Sequence, residues 1–150
     1  MKPEELHAIA SELGLQFDED SRSIYGTQSG YLLFLQETDV KNQFRLCVSV
    51  SLNGNPADSE ENELVWDEFK SESLPNLSTL SINQYFVSFV VKGAMRKSKT
   101  IEKLQTLITD LVAFLETHHF VQVCAYSGQE GPVGLYQLGD SIFLINEESY

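Results

Sequence analysis

Basic residues are scarce in this chain: 10 lysines and arginines stand against 22 aspartates and glutamates, a formal net charge of -12. A field of that sign repels phosphate backbones and argues against nucleic acid as a partner. Cysteine is nearly absent. Cys47 and Cys124 are the only two, too few for the disulfide framework that replaces a core in small secreted chains. The N-terminus, MKPEELHAIASEL, lacks the apolar stretch of an export signal, so the expected compartment is the reduced cytoplasm. No apolar run reaches the roughly 20 residues that cross a bilayer. Motifs with built-in chemistry are missing too: there is no G-x-S-x-G, P-loop, G-x-G-x-x-G or H-E-x-x-H. His118 and His119 are adjacent, and neighbours on a helix do not face each other as a metal pair must. His7 stands alone. The sequence therefore points to no catalytic residue, no metal and no cofactor, and to no small-molecule substrate.

What is present suffices for one core: 42% of the 150 residues are hydrophobic. Pro3 suits a first helical turn and Gly14 a helix stop, with Leu6, Ile9, Ala10 and Leu13 at helical spacing between them. Residues 17–22 read as a polar turn. Ser23 to Gly26, Tyr31 to Glu37 and Phe44 to Leu52 read as an antiparallel meander. In the third, Phe44, Leu46, Val48 and Val50 alternate with Arg45, Cys47, Ser49 and Ser51, which predicts one buried and one more polar face. An acidic helix follows within residues 57–73, with Leu64, Val65 and Phe69 as its apolar side and Trp66 packed on the sheet. Leu77 to Ile82 and Tyr85 to Lys92 form a second strand pair across Asn83-Gln84, the latter strand being central. Ser98 or Thr100 caps a long helix carrying Ile101, Leu104, Ile108, Leu111 and Leu115. It ends near His118. Strands grouped in this way, not alternating with helices, predict an α+β fold: an antiparallel sheet with an N-terminal helix, a short acidic middle helix and a long helix packed on it. The expected domain boundaries are 1–119 for this unit and 120–150 for a small β unit packed against it. That unit holds a strand from Phe120 to Tyr126 and a hairpin, Val133 to Leu138 with Ser141 to Ile145, over Gly139-Asp140.

Cys124-Ala125-Tyr126-Ser127-Gly128 has the frame of a C-x-x-C-G zinc knuckle, and Asn146 to Ser149 falls where its mate would lie. A ribbon needs four thiolates. Only Cys124 is one; Ser127, Asn146 and Ser149 hold the other places, so a metal-free ribbon is expected. With this tail, Ser23-Ile24-Tyr25-Gly26 leading to Gly30-Tyr31, and Val91-Lys92-Gly93-Ala94 through Lys99-Thr100-Ile101-Glu102, the chain resembles a group of uncharacterised Firmicutes proteins. Those place an α+β domain before a zinc ribbon and a C-terminal membrane segment. The resemblance implies a soluble part of a tethered protein, membrane-associated if the natural chain continues past Tyr150, or a shorter relative. The element order is also similar to the acidic type III secretion chaperones, an analogy of fold alone.

The charge is unevenly spread. Asp58, Glu60, Glu61, Glu63, Asp67 and Glu68 crowd one stretch, while Lys92, Arg96, Lys97, Lys99 and Lys103 put half of all bases into another. Those five are the candidate contacts for an anion or partner, leading into a helix N-terminus. The leading expectation is a non-enzymatic interaction or sensory domain that binds a protein partner, a second copy of itself, or an anionic membrane surface. The rivals are a small acidic dimeric chaperone for an extended client and an enzyme with a scattered site.

Overall fold

Pro3 opens helix α1 (Pro3–Leu13), and Gly14, at φ 73°, closes it in the left-handed region that favours glycine. Its stripe of Leu6, Ile9, Ala10 and Leu13 is buried. The computed structural model describes residues 1–52, 54–73, 79–82, 87–122, 135–138 and 141–144. Residues 17–22, expected as a turn, instead begin with an edge strand β1 (Gln16–Asp18), in which Phe17 lies opposite Ile24. Asp18 then makes the turn by accepting from the Ser21 amide and hydroxyl, at 3.2 and 2.6 Å. Strands β2 (Ser23–Gln28) and β3 (Tyr31–Glu37) join through Ser29 and Gly30. Both residues have positive φ, 52° and 84°, as a tight I′ hairpin requires.

Strand β4 (Gln43–Leu52) is the spine of the sheet. It is followed by α2 (Glu60–Ser73), β5 (Thr79–Ile82), β6 (Val87–Lys92), α3 (Lys97–Thr117) and β7 (Phe120–Gln122). The antiparallel order is β1-β2-β3-β4-β6-β5. Beta-4 changes partner along its length: Gln43 to Val48 face β6, and Val50 to Leu52 face β7. Strand β6 is thus interior, as its apolar alternation predicts. His119, at φ 57°, turns α3 into β7. Beyond the expected boundary at 119/120, Phe120 is buried in the main core and its carbonyl accepts from the Tyr31 hydroxyl at 2.9 Å. The chain also forms the expected hairpin, β8 (Leu135–Leu138) with β9 (Ser141–Leu144). The turns at Asn83-Gln84 and Gly139-Asp140, and the ribbon positions Cys124, Ser127, Asn146 and Ser149, lie outside the described residues.

One core joins the helices to the sheet face carrying Ile24, Leu33, Leu35, Phe44, Leu46 and Val48. Two expectations need correction. The more polar face of β4 is buried too: Ser49 and Ser51 are covered along with Cys47, and so are Leu32 and Phe34 beside them. Small side chains fit a covered face as readily as an exposed one, so alternation alone misjudged it. In α2 the inward stripe is Asn62, Trp66 and Phe69, with Val65 half-buried, while Leu64 is 71% exposed. The bulk of tryptophan sets the rotation of this short helix, and Leu64 is left outside.

Cys47 is a free thiol, and burial pushes its pKa from 9.0 up to about 12. An unfolded chain ionises this thiol near pH 9 while the folded chain keeps its proton. Its contribution to stability is therefore complete below about pH 9 and is lost as pH climbs toward 12. Stability should fall by about 1.4 kcal/mol per pH unit from this group across that window. Urea titrations of wild type and Cys47→Ala at pH 8 to 11 check it; equal slopes for both proteins would refute it.

Candidate functional site

Two loops meet at one end of the sheet. The β3–β4 turn (38–42) and the β6–α3 junction (93–96) are tied together by Asn42. Its carbonyl accepts from the Gly93 amide at 2.8 Å, and its side-chain amide donates to the Ala94 carbonyl at 2.8 Å. A β-carbon on Gly93 would sit 2.8 Å from Asn42 Cγ, so glycine is what permits the approach. The Thr100 hydroxyl finishes the junction, accepting from the Ala94 amide at 2.9 Å. Because α3 begins at Lys97, Ser98 and Thr100 both lie inside it, and neither is its cap. Arg96 occupies the N-cap and supplies no side-chain hydrogen bond.

Beneath the loops lies a cavity of about 430 Å³, lined among others by Met1, Glu5, Glu37, Lys41, Met95 and Lys97. Its two carboxylates are held within the protein. Glu37 pairs with the Met1 ammonium at 3.1 Å and lies 3.9 Å from Arg22, which also donates to the Met1 carbonyl. Glu5 accepts from the Lys2 amide at 3.0 Å. That bond, with Lys97 nearby, holds its carboxyl below the ordinary value.

The five bases singled out in the sequence are all exposed. Lys92 ends β6, opposite Gln43. Arg96, Lys97 and Lys99 stand at the start of α3, and Lys103 is one turn further along. Lys99 pairs with Glu102 at 3.2 Å. Among the described residues no carboxylate lies within ion-pair distance of Lys41, Lys92, Arg96, Lys97 or Lys103. Sequence spacing missed Lys2, Arg22 and Lys41, which the fold brings to the same end. With Lys92, Arg96, Lys97 and Lys99 they make seven of the chain's 10 bases. It also missed two exposed apolar residues among them, Val40 in the first loop and the fully exposed Met95 in the second. The one legible signal was Met95 inside a run of bases.

The electrostatics of α3 run against folding. Its first turn holds no acid, and Lys97 and Lys99 sit at the positive end of the helix dipole. Helix α2 is arranged the favourable way, with Glu60, Glu61 and Glu63 in its first turn and Lys70 in its last. No group of three or more His, Cys, Asp or Glu side chains able to hold a metal ion occurs among the described residues. No helix among them is long and apolar enough to cross a membrane. No protein-family model, no curated protein and no solved structure matches the chain.

Proposed function

We propose that the chain is a non-enzymatic protein-interaction domain that meets an anionic partner with the basic end of its sheet. The observation that carries this reading is the first turn of α3. Bases there oppose the helix dipole and are collected, in a chain of net charge -12, around an exposed methionine. Each such base costs the helix about 0.3–1 kcal/mol. Residues that weaken the fold and face solvent are where function is the expected compensation.

The test reads stability and binding together. Replacing Arg96, Lys97 and Lys99 by glutamine removes three cations from the dipole's positive end at the loss of one exposed Lys99–Glu102 pair. The triple variant should be more stable than wild type by about 0.5–2 kcal/mol. It should also bind two anionic probes, immobilised poly-L-glutamate and phosphatidylserine vesicles, more weakly than wild type does. A wild type that holds neither probe, or a variant that holds both equally well, would overturn the reading.

A further inference from the structure

Helix α2 carries a surface that matches the basic end in form and opposes it in sign. Leu64, 71% exposed, is flanked at i−4, i−3, i+3 and i+4 by Glu60, Glu61, Asp67 and Glu68, all exposed. Positions so spaced share one face of a helix, so this is an apolar residue ringed by carboxylates. The sheet end is the converse: Met95 and Val40 exposed, with Lys41, Arg96, Lys97 and Lys99 around them. We propose that the anionic partner is a second copy of this chain, its α2 laid across the β3–β4 and β6–α3 loops. Leu64 of one copy then meets Met95 of the other, inside a ring of opposed charges. This rests on the interaction reading above and adds the identity of the partner.

The cavity bears on the choice between protein and bilayer. A hollow of about 430 Å³ suits a convex helix better than a flat lipid surface. Net repulsion between two chains of charge -12 does not forbid the contact, because charges more than about 8 Å apart are largely screened at physiological salt. The two surfaces differ, so the contact joins copies head to tail, or closes as a two-fold dimer where two copies exchange α2 reciprocally.

Sedimentation velocity at about 100 μM protein provides the test. Wild type should self-associate, and raising salt from about 50 mM to about 500 mM should weaken association at least about tenfold. Lys97→Glu/Lys99→Glu and Glu61→Lys/Glu68→Lys should each be monomeric. Mixed at equal concentration they should associate again, since each reversed surface now faces its complement. The control Glu12→Lys/Glu116→Lys carries the same charge change on exposed positions elsewhere. Alone it should associate as wild type does. Mixed with Lys97→Glu/Lys99→Glu it should show weaker association than the complementary mixture. Leu64→Ser and Met95→Ser, each at an exposed site, should weaken association about tenfold without any change of charge. A monomeric wild type overturns the inference, as does a control mixture that associates like the complementary one. If that monomer still binds poly-L-glutamate or phosphatidylserine vesicles, the interaction reading stands with another anionic partner; if it binds neither, both fall.

Discussion

Truncating Trp66 to alanine should cost about 5 kcal/mol, the largest loss expected from any single side chain here. The indole is fully buried and touches four rings from four elements. Phe69 of α2 lies edge-on at 5.6 Å, Phe89 of β6 at 5.7 Å, and Phe114 of α3 and Phe120 of β7 each at 5.2 Å. Removing it opens a cavity where both later helices and two strands converge. A domain of this size is held by only about 5–15 kcal/mol, so the variant should be partly unfolded at 37 °C. Trp66 is the sole tryptophan, so denaturation must be followed by far-UV circular dichroism. Trp66→Phe separates volume from polarity. Among the described residues the indole N–H has no partner, and losing it relieves a buried unpaired donor. That variant should lose less than about 2 kcal/mol. A loss below about 1 kcal/mol in Trp66→Ala would remove tryptophan from the centre of the core.

Phe89→Ala should cost about 3–5 kcal/mol. Phe89 lies on interior strand β6, paired with Leu46 of β4 and Leu80 of β5. Its ring sits 5.7 Å from both Trp66 and Phe69. Both of these ring neighbours belong to α2. Because Phe89 and Trp66 touch, their losses should not add. A double-mutant cycle should give a coupling of about 0.5–1.5 kcal/mol, and strict additivity would mean that the rings do not meet.

The fold class was legible because it rests on long periodic segments. Leu104, Leu107, Ile108, Leu111, Val112 and Leu115 are all buried on α3, and six aliphatic residues at helical spacing leave little choice of face. Where segments are short or side chains small, the pattern gave out. Beta-1 has three residues, too few to display a period of two. Ser49 and Ser51 look like a solvent face and are covered. In α2, Leu64 and Trp66 competed for the inward position, and ring contacts outside the helix decided it. The candidate site was half visible. A run of bases is local in sequence, but the Asn42 tie that brings Lys41 to Arg96 is a contact between distant segments, and no local spacing reports it.

The change of partner along β4 has a consequence for how the chain assembles. Strands β2, β3 and β4 pair with neighbours in sequence and can form as soon as they exist. The far half of β4 has no such neighbour: Val50, Ser51 and Leu52 wait for Gln122, Val121 and Phe120. A growing chain therefore carries a bare strand edge until all of α3 has emerged, and bare edges are where one chain pairs with another. Phe120, which brings the last ring against Trp66, also closes that edge. The residue that completes the aromatic cluster is thus the one that ends the interval in which the nascent sheet is open to strangers.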